Sequence, residues 1–174
     1  MKDTKLIAQL KTLISYNTIT GIFTFKERPN AKGFNTRFAH KKAGRINDAG
    51  YEVISLLGKS YLSHRLAYAF MAGRFPTKNY VIDHKNHMRC DNRWANLRKC
   101  NRSENACSTF SKGRGRSYFK GVSFCKETGL WLSRLTKNGK IMFLGRYKHS
   151  LDAAIAYDGA ANLYHGQFAT LNFS

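Results

Sequence analysis

The run from Ser108 to Ser117, Ser-Thr-Phe-Ser-Lys-Gly-Arg-Gly-Arg-Ser, constrains the fold more than any other stretch of this chain. It is rich in Gly and Ser, lacks apolar periodicity and carries three positive charges, so it reads as a flexible basic linker. A linker there divides the 174 residues into pieces of 107 and 57. Each piece must close its own small core, which excludes a large multidomain machine. Hydrophobic residues at 43% and aromatics at 13% suffice for that, so a disordered polybasic tail is excluded too. The longest apolar runs, near Val53 to Leu57, fall far short of the roughly 18 residues that cross a bilayer.

Charge supplies the first functional clue. The chain has 30 Lys and Arg against 10 Asp and Glu, net +20. Residues 1–107 hold 20 basic and 7 acidic residues, net +13; residues 118–174 hold 7 and 3, net +4; the linker adds +3. A threefold excess of one sign points to a polyanionic partner. Nucleic acid is favoured over a membrane, because no stretch pairs an apolar helical face with a basic one. Two basic domains on one polyanion gain affinity through effective concentration. Met1 to Lys11 shows no cleavage signature, and Cys90, Cys100, Cys107 and Cys125 form no disulfide framework. An intracellular, non-secreted setting with buried free thiols is expected. His87 and Cys90 have ligand-like spacing, but no Cys-x-x-Cys pair is present and no zinc site is assigned.

In the first piece, Leu6, Leu10, Leu13 and Ile14 share a helical face, and Gly21 to Phe25 reads as a short strand. Tyr51 to Leu56 and Tyr61 to Ser63 flank Leu57-Gly58-Lys59-Ser60, a hairpin pattern. Ser63 is the expected cap of a helix carrying Leu66, Ala67, Phe70 and Met71, ended by Gly73. Tyr80-Val81-Ile82 then reads as a strand leading into the densest chemistry of the chain. This runs Asp83-His84-Lys85-Asn86-His87, then Cys90-Asp91-Asn92-Arg93-Trp94-Ala95-Asn96-Leu97-Arg98, then Asn101-Arg102-Ser103-Glu104-Asn105. Asn101 with Glu104 forms a capping box that starts a helix carrying Asn105. A carboxylate and an amide oxygen can hold a hard divalent cation while leaving room for water and phosphate. A neutral imidazole beside them can take a proton from attacking water near pH 7. Together these form a minimal hydrolytic site for a phosphodiester.

The segment resembles an HNH endonuclease core, the ββα-metal fold of phage and intron-borne homing endonucleases. The resemblance is carried by Asp83-His84, Asp91-Asn92-Arg93, Asn96-Leu97 and Ser103-Glu104-Asn105. It implies that His84 is the general base and that Asn96 steadies the loop and orients that base. It also implies that Asp83 and Asn105 hold one Mg2+ or Mn2+, Asn105 standing where many members carry His. His64-Arg65-Leu66-Ala67 with Phe70 resembles the approach to the core in phage members; His64 and His87 are read as structural or phosphate-facing.

In the second piece, Phe119 to Phe124, Leu130 to Leu135 and Ile141 to Tyr147 read as three strands, the last two joined by an Asn138-Gly139 turn. Ser150 is the expected cap of a helix with Ala153, Ala154, Ile155, Tyr157, Ala160, Ala161 and Leu163 as its apolar set. Phe119-Lys120-Gly121-Val122, Gly129-Leu130-Trp131, Leu144-Gly145-Arg146-Tyr147, Ala156-Tyr157-Asp158 and Leu171-Asn172-Phe173 closely resemble an AP2 DNA-binding domain. That resemblance implies a sheet that enters the major groove, with Trp131, Tyr157 and Phe173 in the core. Lys120, Arg134 and Phe143 are the expected DNA contacts, with Arg114 and Arg116 of the linker.

The expectation is therefore an α+β protein. An N-terminal region (1–107) holds a ββα-metal HNH core at about 60–107. A basic linker (108–117) joins it to an AP2-like three-stranded antiparallel sheet packed on one helix (118–174). Its expected activity is site-selective, homing-type nicking or cutting of duplex DNA by a monomer with no protein partner and no membrane, in the cytoplasm of a bacterial host if phage-encoded. The alternative is a non-catalytic AP2-type regulator with a degenerate nuclease core. An RNA binder would instead favour single strands and stacking aromatics.

Overall fold

The computed structural model describes residues 2–109 and 117–173, so Arg114 and Arg116 lie outside the described residues. The architecture is mixed α and β, with several small antiparallel sheets and five α-helices among the described residues. Two compact units emerge, residues 1–100 and 101–174. None of the described helices is long and apolar enough to cross a membrane.

The first unit opens with α1 (Lys2–Leu13), which runs directly into β1 (Ile14–Tyr16), paired antiparallel with β2 (Phe23–Phe25). Ile14, expected on the helix, is a buried strand residue; Ile7 and Leu10 carry the buried face of α1. After β2 come α2 (Lys32–Phe38) and the short β3 (Arg45–Ile46). β3 pairs with β4 (Glu52–Leu56), and β4 with β5 (Lys59–Leu62). The hairpin loop is shorter than the four residues expected: only Leu57 and Gly58 turn the chain, both at positive φ, as a tight two-residue hairpin requires. α3 (Ser63–Ala72) packs Leu66, Ala67, Ala69 and Phe70 into the core. Ser63 is its first helical residue rather than its cap, and Met71 stays exposed. Gly73 ends the helix in the left-handed conformation, as the sequence anticipates. β6 (Tyr80–His84) and β7 (Leu97–Asn101) form a two-stranded sheet, with one turn of 3-10 helix at Trp94–Asn96 before β7. Leu10, Ile14, Phe23, Ile54, Leu66, Ile82 and Leu97 belong to one core.

α4 (Arg102–Ser108) opens the second unit, and both hydrogen bonds of the Asn101–Glu104 capping box are present. β8 (Val122–Cys125), β9 (Leu130–Lys137) and β10 (Lys140–Tyr147) form an antiparallel sheet in the order β10–β9–β8. α5 (Ser150–His165) covers one face, burying Ala153, Ala154, Tyr157 and Ala161. Its N-cap is His149, not Ser150, and Ile155 and Leu163 point to solvent.

Several residues of the second unit have a definite mechanical reason. A Cβ on Gly121, at φ +76°, would sit 2.0 Å from the Tyr157 ring, so this close approach requires glycine. Asp158 accepts the backbone N–H groups of Asn172 and Phe173, and Asn172 in turn bonds the N–H and carbonyl of Lys120. These contacts tie the end of the unit to its start. Trp131 packs against Val122 and the helix alanines. Phe173, expected in the core, is 44% exposed and leans on Phe119 instead. Of the four cysteines, all free, only Cys100 is buried, which corrects the expectation of buried thiols throughout.

Candidate functional site

Asp83 and His84 close β6, and the polar loop 85–96 returns the chain to β7. An irregular loop persists beside a core only if its backbone and polar side chains find partners. Asn96 supplies many of them. Its amide nitrogen donates to Asn86 Oδ1 and to the Asp91 carbonyl, its Oδ1 accepts from the Asn86 N–H, and its carbonyl accepts from the Lys85 N–H. Asp91 is clamped by Arg93 through Nε and the terminal nitrogen. That pairing holds its carboxyl down to about 2. The turn after β1 buttresses the loop from behind: Tyr16 Oη donates to the Asn92 carbonyl at 2.7 Å, and the Trp94 N–H donates to the Thr18 carbonyl. Burial, with Asp91 nearby, pushes the Tyr16 phenol up to about 12, so it stays a donor. Gly21, at φ +74°, allows this contact, since a Cβ there would lie 2.4 Å from the Arg93 nitrogen.

His84 is 4% exposed, and its orientation comes from Asn92 rather than Asn96. The Asn92 amide nitrogen donates to Glu52 Oε2 at 3.1 Å, and the other oxygen of that buried carboxylate pairs with Lys42 Nζ at 2.8 Å. A carboxylate only accepts, so Asn92 must present its nitrogen to Glu52 and its oxygen to His84. The His84 Nε2 atom, 3.3 Å from that oxygen, is therefore the protonated nitrogen, and Nδ1 keeps the lone pair. Burial lowers the His84 pKa; the Asn92 bond and Asp83 offset this only in part, so the ring is neutral at pH 7. His64 of α3 stands edge-on to His84, ring centroids 5.0 Å apart. Burial, reinforced by His84, depresses its pKa to about 3, so it brings bulk and no charge.

Asp83 is nearly buried and receives Arg98 Nε at 2.9 Å and a second guanidinium nitrogen at 2.8 Å, both on Oδ2. Its oxygens are hard donors of the kind a divalent cation takes. Among the described residues no three His, Cys, Asp or Glu side chains gather as a metal cluster. A cation here would thus draw most of its shell from water and phosphate, as Mg2+ commonly does. The donor chemistry fits such an ion. Asn105, the other expected ligand, lies on α4, its carbonyl accepting from Ser108 Oγ and Thr109 Oγ1.

On the second unit, the register sets Arg134 directly opposite Phe143, on the sheet face away from α5. Phe143 is 56% exposed, Ile141 beside it 69%, and the Arg146 guanidinium lies 5.6 Å from the Phe143 ring centre. Arg134 also borders a cleft of about 700 Å3 with Arg102 of α4. Two of the expected DNA-contacting side chains are therefore neighbours on one open surface. Lys120 is placed differently. Its ammonium donates to the carbonyls of Cys107 and Thr109 at 2.6 and 2.8 Å, capping the end of α4, and burial lowers its pKa.

The sequence pattern did not reveal Asn92 as the partner of His84, nor Glu52 and Lys42 as the groups that hold Asn92 from behind. Forty residues separate Asn92 from Glu52, and only the Asp91-Asn92-Arg93 motif signalled that the loop mattered.

Residues 61–107 match the HNH endonuclease family. The chain is also similar to APETALA2-like protein 2 of Oryza sativa subsp. indica, 40% identical over 58 residues, which is 33% of this chain and 13% of that protein. It is 40% identical over 57 residues to the AP2-like ethylene-responsive transcription factor TOE2 of Arabidopsis thaliana, covering 33% of this chain and 12% of that protein. To the AP2-like ethylene-responsive transcription factor AIL7 of Arabidopsis thaliana it is 29% identical over 139 residues, 76% of this chain and 26% of that protein. The matched stretches thus span only 12% to 26% of these relatives. The chain combines an HNH endonuclease segment with AP2-like similarity.

Proposed function

We propose that this chain is a homing-type HNH endonuclease that nicks duplex DNA, with an AP2-type β-sheet holding it on the duplex. The observation that carries this reading is the state of His84: a buried, neutral imidazole with Nε2 anchored and Nδ1 left to accept a proton, next to Asp83, within the HNH-matching segment. Nδ1 takes a proton from the attacking water as the oxygen–phosphorus bond forms; the bond to the 3′ oxygen breaks, that oxygen takes a proton from solvent water to leave as a hydroxyl, and His84 returns its proton to solvent. Resemblance to the family implies 5′-phosphate and 3′-hydroxyl products. Asp83 and Asn105 are the proposed ligands of one Mg2+ or Mn2+, Asn105 on the sequence pattern alone. The bound ion supplies charge stabilisation at the phosphate and the departing oxygen. Arg98 holds the Asp83 carboxylate in place, and Asn96 keeps the loop closed.

Arg134, Phe143 and Arg146 form the proposed duplex-facing surface. A sheet face of this kind fits a major groove. One such core reaches one phosphate at a time, so a monomer nicks first.

The test is supercoiled plasmid carrying DNA from the gene's own locus, with Mg2+ or Mn2+, wild type beside His84→Ala and EDTA as control. Metal-dependent nicking is expected, lowered about 10²–10⁴-fold in the variant while gel-shift binding persists. Duplex binding by wild type without cutting, across metals and targets, would sink the nuclease reading. The rival, an AP2-type regulator, draws its support from the transcription-factor names of the relatives.

A further inference from the structure

Between β2 and β3 the chain makes an excursion that the core does not explain. Its base is closed by main-chain bonds, the Phe25 N–H to the Lys41 carbonyl at 3.0 Å and the His40 N–H to the Phe25 carbonyl at 2.8 Å. Within it, Asn35 clasps Arg28 twice, its amide nitrogen donating to the Arg28 carbonyl and its oxygen accepting from the Arg28 N–H, both at 2.9 Å. The Arg28 guanidinium stacks 3.7 Å from the centre of the Phe34 ring. Phe34 in turn meets Phe25 and Phe38 at 5.7 and 5.2 Å. The excursion is thus held in one shape, yet α2 buries no residue at all. Ordering a segment costs conformational entropy at every residue, so a segment ordered without joining the core invites another reason.

That reason lies in what the excursion displays. Residues 26–42 carry six Lys and Arg against one Glu, net +5 in 17 residues. Lys26 donates to the Lys11 carbonyl, Arg28 stacks on Phe34 and Lys42 pairs with Glu52. Lys32, Arg37 and Lys41 are exposed, and among the described residues no carboxylate pairs with them. The rings pack against one another, with the Arg28 guanidinium over Phe34 and the Arg37 guanidinium over the part-exposed Phe38 at 5.1 Å from its ring centre, so cations already lie over the two rings of α2. The chemistry on display is therefore charge for a phosphate backbone, not base readout.

We infer that the excursion at residues 26–42 is a second DNA-binding element, a sequence-independent grip on duplex phosphates contributed by the first unit. The inference rests on the duplex-nuclease reading above. It assigns to Lys32, Arg37 and Lys41 a direct role in affinity, and it gives the nuclease unit a hold on DNA of its own.

Counterion release makes this measurable, because each phosphate neutralised by a cation adds about 0.9 to the slope of log affinity against log salt on B-DNA. The experiment compares the full-length wild type with Lys32→Gln/Arg37→Gln/Lys41→Gln, using fluorescence anisotropy on a labelled duplex over a salt series. A charge-keeping variant, Lys32→Arg/Arg37→Lys/Lys41→Arg, serves as control. The expected result is a slope shallower by about 2 to 3 and binding roughly 10–100-fold weaker near physiological salt. The charge-keeping variant should behave as wild type, and the melting temperature should not move, since α2 buries nothing. An unchanged slope and affinity in the neutralised variant overturns this inference alone. A loss seen only with single-stranded RNA, duplex binding being untouched, also overturns it. Wild type that fails to bind duplex at all overturns both this inference and the reading on which it rests.

Discussion

The loop around His84 and the outer sheet face around Arg134 use polar groups in opposite ways. In the loop, charge is held internally: Asp91 on Arg93, Asp83 on Arg98, Glu52 between Lys42 and Asn92. On the sheet, Arg134 and Phe143 stand open, and nothing among the described residues buries them. A site that must present one nitrogen in one tautomer needs every neighbour satisfied, because a half-satisfied buried network is worth less than an apolar core. A surface that must meet phosphate needs its cations unspent. Within the second unit Lys120 is used differently from Arg134, two of its ammonium hydrogens being spent on the carbonyls that end α4.

Substitutions in either region should have distinct effects. The largest effect on stability belongs to Gly121→Ala, which drives a Cβ into the Tyr157 ring at a positive φ. It should destabilise the second unit by about 3 kcal/mol, seen as an early transition in urea unfolding. A wild-type-like curve would mean that Tyr157 moves aside freely. Asn92→Ala comes next. It strips both His84 and buried Glu52 of a partner, so about 2 kcal/mol of stability should be lost. The nicking rate should fall more than duplex affinity; equal losses in rate and affinity would show Asn92 to be structural only.

Acid should separate the two regions more gently. His64 has a folded pKa near 3 against an unfolded value near 6.5, so the unfolded chain binds more protons between those limits. The stability due to its burial is therefore full above pH 6.5 and is lost as pH falls towards 3, at about 1.4 kcal/mol per unit. His84 acts in the same direction. Urea midpoints measured at pH 7 and at pH 5 would reveal the slope, and His64→Gln should flatten it. Should the variant keep the wild-type slope, His64 is not its source. The smallest expected effect is that of Arg134→Gln, about fivefold weaker duplex binding with a salt slope shallower by about 0.9. Nicking at saturating enzyme should be unchanged, and a loss there would place Arg134 nearer the chemistry than the sheet face suggests.

Local signals explain why so much of the fold was legible. The Asn101–Glu104 box acts within one helical turn, the Asn138-Gly139 turn within two residues, and the buried alanines of α5 recur at helical spacing. α2 gave no such signal because a helix that buries nothing has no apolar period. Ser63 and Ser150 misled by a single position each, since both the residue before a helix and its first residue tolerate Ser.

Composition and local pattern were enough for the strong positive charge, for the strand, polar loop and capped helix of the Asp83 to Asn105 segment, and for the glycines that shape its neighbours, but not for β7, which reads in the sequence only as a short apolar stretch. The anchored nitrogen of His84, the Glu52 and Lys42 pair behind Asn92, and the contacts of Lys120 with the end of α4 come from tertiary contacts alone. The physical reason is range. Turns, caps and periodic faces are settled among residues a few positions apart, whereas a buried polar network is closed by whichever distant group can satisfy the last lone pair.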